Sequence, residues 1–271
     1  MKTRILAAVV LVPLLLIVVL ALPKIVTAVL FGLMCAIAAY ELMQGTGMVK
    51  HPRLVIYAMV SGLLVGVWSG IGAPYSWGVL WVLVFVAALF GEMMLAHTKI
   101  RFEKLGITMV AGLLIPFLFT SLVRIHSGSV GRHLIMMPFV IAFLSDSCAY
   151  FTGIAIGKHK LAPVISPKKT VEGLVGGLVG AMAGMVIYCL VLNLAFGFTV
   201  HYGIALVYGV VGSLGAVFGD LCFSVIKRQT GIKDYGNLIP GHGGILDRFD
   251  SMMIVGPLVE VLMDLIPVAV K

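Results

Sequence analysis

GIALVYGVVGSLGAVFGDLCFSVIK, residues 203–227, is the stretch on which the fold turns. As an α-helix its 25 residues rise about 37 Å, enough to cross a hydrocarbon core roughly 30 Å thick. A surface helix of a soluble domain would carry a polar stripe. This one carries only small or aromatic polar groups until Asp220, and its charges gather at one end with Lys227 and Arg228. It reads as a membrane-spanning helix. Runs of the same kind recur along the chain, at roughly 5–22, 25–44, 54–71, 77–96, 106–124, 133–153, 171–195 and 251–269, for about nine spans in all. A transmembrane barrel would show ~10-residue alternating segments, and none is present. The expectation is therefore an all-α, polytopic integral membrane bundle.

Composition agrees. Of 271 residues, 61% are hydrophobic and 11% charged, against about a quarter charged in soluble domains. The net charge of +8 does not point to nucleic acid, because the basic residues sit in short segments between apolar runs. There they set topology and attract anionic headgroups or phosphates. Assigned to alternating sides of nine spans, fifteen of the nineteen lysines and arginines fall on one side. The positive-inside rule places that side, with the N-terminus, in the cytoplasm and the C-terminus outside. Cys35, Cys148, Cys189 and Cys222 lie inside apolar runs without a C-x-x-C pair, the pattern of structural thiols. The first run follows Lys2 and Arg4, is long for a signal peptide and lacks a small-x-small cleavage site, so it reads as an uncleaved helix.

Connections are short, and the whole chain, 1–271, reads as one membrane domain. Residues 1–130 form a scaffold; residues 131–271 form a catalytic half with cytoplasmic loops at 154–170 and 228–250. No internal repeat is visible, unlike transporters built from inverted halves. Glycines recur every four residues at Gly62, Gly66 and Gly70, at Gly173 and Gly177, and at Gly176, Gly180 and Gly184. Such ridges let membrane helices approach closely. Whether the Gly62 ridge packs within one subunit or between two is open in the sequence.

Outward from the opening helix, polar residues crowd together. SVIKRQTGIKDYGNLIPGHGGILDRFD, residues 224–250, holds three aspartates, two lysines, two arginines and a histidine. In so apolar a chain that density marks a site. Asp220, Ser224, Lys227 and Arg228 share one helix face, being three and four residues apart. That face leads into the loop ending at Asp247 and Asp250, and Asp146 lies in the sixth span. Carboxylates beside phosphate-attracting lysines suit Mg²⁺, which takes one or two carboxylates and completes its shell with water and phosphate. Asp220 and Asp247 are the primary candidate metal ligands, with Asp250 and Asp146 secondary. Glu41, Glu92, Glu260 and Asp264 are explained equally well by interfacial placement or helix contacts.

The turn Pro240–Gly244 is glycine-rich in a way that lets successive N–H groups cup an anion, which makes Gly243 and Gly244 candidate phosphate contacts. His242 has three open readings: general base, phosphate donor or loop packing. In the 154–170 loop, Gly153-x-x-x-Gly157-Lys158 is one residue short of a P-loop and has His159 where Ser or Thr belongs. Ser166-Pro167-Lys168-Lys169-Thr170 reads as a helix start, and Lys168 and Lys169 beside it as a phosphate site.

These residues resemble the phosphatidate cytidylyltransferase (CDP-diacylglycerol synthase) family of bacteria. The family signature is Ser-x-apolar-Lys-Arg, four residues, Lys-Asp-x-small, two residues, apolar, Pro, x, His-Gly-Gly, apolar, x, Asp-Arg-apolar-Asp. It stands here as Ser224, Lys227, Arg228, Lys233, Asp234, Gly236, Ile239, Pro240, His242, Gly243, Gly244, Asp247, Arg248 and Asp250. SDSCAYFTG and SPKKTVEG also match; the first half resembles the family only in hydropathy. The resemblance implies CTP and phosphatidic acid as substrates, CDP-diacylglycerol and pyrophosphate as products, and Mg²⁺ held by Asp220 and Asp247. It also implies a second cation such as K⁺, a homodimer, for which residues 1–130 are a candidate interface, and residence in the bacterial inner membrane with the site facing the cytoplasm. Asp220, Asp247, Lys227 and His242 are then the candidate catalytic residues. Lys168, Lys169, Ser224, Arg228, Lys233, Gly243, Gly244 and Arg248 are candidate contacts to triphosphate or lipid phosphate. Two alternatives are another lipid phosphate as acceptor and an ion-coupled transporter using Asp146 and Asp220 as a relay.

Overall fold

A computed structural model describes residues 2–239, 241 and 243–271. The chain opens with α1 (Lys2–Ala21) and α2 (Lys24–Tyr40), and α2 runs on into a π-helical turn, Glu41–Gly45. Next come α3 (Pro52–Ile71), α4 (Tyr75–Leu95) and α5 (Phe102–Met109), then a second π turn, Val110–Leu114. Three short helices follow, α6 (Ile115–Phe119), α7 (Ser121–Ser127) and α8 (Gly131–Leu134). After α9 (Met136–Ile156), a hairpin of β1 (Lys160–Ala162) and β2 (Ser166–Thr170) leads into α10 (Val171–Phe196). The chain closes with β3 (Thr199–Val200), α11 (Tyr202–Gln229), α12 (Leu246–Phe249), α13 (Met252–Leu265) and β4 (Ala269–Val270).

The all-α, polytopic expectation is met. Among the described residues, seven helical segments are long and apolar enough to cross a membrane, and they coincide with seven of the nine expected spans. The first expected span forms the 20-residue α1. The last, expected over 251–269, is helical for only 14 residues, about 21 Å. Its end has a local cause: Ile266 precedes Pro267, which disfavours the helical region, and Ile266 is extended at φ −141°.

Contacts divide the chain into two compact units, Met1–Ser127 with Gln229–Phe249, and Gly128–Arg228 with Asp250–Lys271. Most of the 228–250 loop, Gln229–Phe249, falls in the first unit.

In the first unit, α2 and α3 cross on the Gly62 ridge. A methyl group added to Gly62 would lie 3.0 Å from the Cys35 carbonyl carbon, and one on Gly66 would run into Gly32 Cα. The ridge therefore packs within the chain. Ser61 Oγ donates to the Gly112 carbonyl (2.6 Å) and accepts from Trp81 Nε1 (3.0 Å), joining α3, α4 and the second π turn. Gly66→Leu is expected to destabilise the protein by at least ~3 kcal/mol, because neither backbone can yield to overpacking. Thermal unfolding in detergent checks this; an unchanged midpoint would show that the crossing can open.

In the second unit, α9 packs along α10 on the other glycine ridges. Gly173 faces the Ala149 carbonyl at 2.8 Å from an added methyl, and Gly177 the Ser145 carbonyl at 2.9 Å. Ser145 and Ser213 share a buried hydrogen bond (2.7 Å) between α9 and α11. α13 runs back along α11: Gly219 abuts Asp250 and Ser251, and Tyr208 Oη donates to the Ile266 carbonyl (3.2 Å). β4 then pairs with β3. The C-terminus thus lies where α10 turns into α11, at the opposite end of α11 from Arg228.

The helix start expected at Ser166 lies four residues later. Ser166–Thr170 is a strand, and Thr170 is the cap, its Oγ1 accepting from Gly173 N–H (3.1 Å). Pairing with β1 extends the chain through Pro167 and the two lysines before the helix can begin.

Candidate active site

The second unit gathers polar groups around the Arg228 end of α11. Asp220 accepts from Ser224 Oγ through Oδ1 (3.1 Å), one turn on, as the helical spacing predicts. Its Oδ2 lies 2.6 Å from Lys169 Nζ, a half-buried ion pair that joins β2 to α11. Arg228 Nε donates to the Ile165 carbonyl (3.1 Å), holding the hairpin tip to the same helix. Lys168, next to Lys169, is exposed.

Asp250 arrives from the start of α13. Gly219 makes this approach possible, since an added methyl there would lie 2.8 Å from the Asp250 carbonyl oxygen and 3.2 Å from Ser251 Cα. Asp250 is buried, and Ser251 N–H donates to its Oδ1 (2.9 Å). Burial first, then the Asp220 charge, pushes its carboxyl up to about 7; Lys227 and the Ser251 N–H pull it down, and Asp146 adds a smaller upward push. Asp250 therefore feels the charges of Asp220, Lys227 and Asp146, residues the sequence grouped with it. Asp146 itself is exposed on α9.

The first unit holds the rest of the signature. Asp247 is buried at the start of the four-residue α12, and its Oδ2 accepts from Tyr235 N–H (2.7 Å) and Gly244 N–H (3.0 Å). Ile239 N–H donates to the Gly243 carbonyl (2.9 Å), and Gly241 and Gly243 take positive φ, 76° and 88°. The turn is thus built as its glycines suggest, but the Gly244 N–H points at Asp247. Lys233 and Arg248 are exposed. His242 lies outside the described residues.

Sequence reasoning missed Glu41. Its carboxylate, buried at the end of α2, accepts from Ile245 N–H (3.0 Å) and Leu246 N–H (2.9 Å), more than two hundred residues away. The signal was there: an acidic residue ending an otherwise apolar span needs a partner. Nothing local named that partner.

Among the described residues, no group of three or more histidine, cysteine, aspartate or glutamate side chains could hold a metal ion alone. The donors fit Mg²⁺ all the same. The Asp220 charge bears on the Asp250 carboxyl, and a divalent ion binding one or two carboxylates would relieve that while taking its other oxygens from water or phosphate.

A polytopic helical protein with carboxylates and lysines clustered at one end of its spans is the class that fold and site define. The chain belongs to the cytidylyltransferase family, whose model matches residues 2–266. This bears out the resemblance carried by residues 224–250. It is 44% identical over 135 residues to a phosphatidate cytidylyltransferase of Staphylococcus saprophyticus. It is 42% identical over 135 residues to those of Staphylococcus haemolyticus and Staphylococcus aureus. The aligned stretch covers 50% of this chain and 50% of each relative.

Proposed function

We propose that this protein transfers CMP from CTP to phosphatidic acid, giving CDP-diacylglycerol and pyrophosphate. The reading places it as a homodimer in a bacterial inner membrane with its site facing the cytoplasm, the side to which fifteen of nineteen basic residues are assigned. The observation that carries it is the Lys169–Asp220–Asp250 cluster at the end of a membrane helix in a chain of the cytidylyltransferase family. The names of the staphylococcal relatives supply the lipid acceptor.

In this reaction a phosphate oxygen of phosphatidic acid bonds to the α-phosphorus of CTP. The bond from that phosphorus to the bridging oxygen breaks, and pyrophosphate leaves with the electron pair. A phosphate monoester has its second pKa near 6, so at neutral pH most of the nucleophile is already the dianion. No general base is required, and His242 need not serve as one. The chain's task is to bring anions together. Lys169, which pairs with Asp220, would also meet a phosphate oxygen. Lys168, Lys227, Arg228, Lys233 and Arg248 supply further cationic charge, and Ser224 steadies Asp220. Asp220 and Asp247, with Asp250 and Asp146 in support, are proposed to hold Mg²⁺, with K⁺ as a second cation. Bound Mg²⁺ would neutralise charge on the triphosphate and the departing pyrophosphate.

The test uses detergent-solubilised protein with labelled CTP and phosphatidic acid. CDP-diacylglycerol and pyrophosphate should appear in equal amounts, stop on chelation and resume when Mg²⁺ is restored. Faster transfer to a polyprenyl phosphate, or folded protein that releases no pyrophosphate, would overturn the proposal.

A further inference from the structure

We infer that Glu41 is a positioning residue for this reaction, delivered by the second helix to fix the loop that carries Lys233, Asp247 and Arg248. The inference rests on the proposed transfer for its kinetic consequences, though the latch itself is independent of it. α2 does not end in an ordinary cap; it widens into the π turn Glu41–Gly45. Such turns cluster at functional positions. This one carries Glu41 to the amide groups of Ile245 and Leu246. The other carboxylate on the loop, Asp247, holds Tyr235 and Gly244. Two acidic side chains thus accept four backbone N–H groups between Tyr235 and Leu246.

The glycines of the loop support this. Gly236 and Gly244 do not take positive φ, unlike Gly231, Gly241 and Gly243. Backbone conformation therefore does not require glycine at either place. Space does: a methyl on Gly236 would lie 2.5 Å from Glu41 Oε1, and one on Gly244 would run into the same carboxylate. Gly45, at the end of the π turn, meets the Tyr235 carbonyl in the same way. At Gly236, the small position of the signature, a side chain from the other end of the chain fills the space a larger residue would need.

Glu41→Gln keeps the shape but replaces one acceptor with a donor facing an N–H. Its Mg²⁺ requirement and KM for CTP are expected to rise about tenfold, as when outer partners of a metal site are removed. KM for phosphatidic acid should not change. Without substrate, trypsin should cut after the exposed Lys233 and Arg248 about tenfold faster than in the parent, since cleavage follows the open population. Glu41→Ala and Gly236→Ala, alone and combined, supply a cycle: each should harm the protein singly, and the pair should do little worse than Glu41→Ala. Should Glu41→Ala not fold, the glutamine variant and Gly236→Ala still decide by protease rate. Unchanged cleavage and CTP kinetics in Glu41→Gln, or losses that multiply in the double variant, would overturn the inference. A parent protein without transferase activity whose Glu41→Gln form still opens faster would keep the latch and discard the function.

Discussion

Asp220→Asn is expected to lower CDP-diacylglycerol formation about 1000-fold, close to 4 kcal/mol of lost transition-state stabilisation, while leaving the protein folded. Asparagine has the same shape and keeps an oxygen for Ser224, now 3.1 Å from Oδ1. What goes is the negative charge, which faces Lys169 at 2.6 Å and raises Asp250 through space. The side chains of the ion pair are 31% and 21% accessible, but Lys169 Nζ is itself buried, so removing the charge beside it costs some stability. The unfolding midpoint in detergent should stay within a few degrees of the parent. A variant turning over at a tenth of the parental rate or faster would remove Asp220 from the metal site, whatever its stability.

At Asp247 two substitutions separate two jobs. Alanine leaves the Tyr235 and Gly244 amides without their acceptor. Each buried orphan costs about 1–3 kcal/mol, so both stability and activity should fall. Asparagine can still accept both bonds through its amide oxygen but carries no charge. If Asp247 binds a cation, Asp247→Asn should remain stable and lose activity about as severely as Asp220→Asn. Activity near that of the parent in Asp247→Asn, with loss confined to alanine, would reduce the residue to a loop latch.

Much of this was legible in the sequence because the physics involved is local. Apolar length found the spanning helices, and helical spacing put Ser224 under Asp220. The glycine ridges at 62–70 and 173–184 marked the close crossings of α2 with α3 and of α9 with α10. Failures arose where a distant strand or helix decided the matter. Ser166 and Pro167 look like a helix start, yet pairing with Lys160–Ala162 draws them into a strand, and Thr170 takes the cap. The final span ends early at the residue before Pro267, a signal that hydropathy averages away. Glu41 and Gly236 lie almost two hundred residues apart, and no periodicity connects them. Their partnership exists only once α2 has brought its last turn to the loop.

The strand preceding α10 bears on its two adjacent lysines. Successive side chains of a strand point to opposite sides, and here Lys169 is drawn inward to a carboxylate while Lys168 stands in solvent. A helix beginning at Ser166, as the sequence suggested, would have spread both ammonium groups around one cylinder. The pleat instead divides their labour: the inner lysine answers to the aspartate, and the outer one is left to greet whatever anion approaches from water or from the lipid surface.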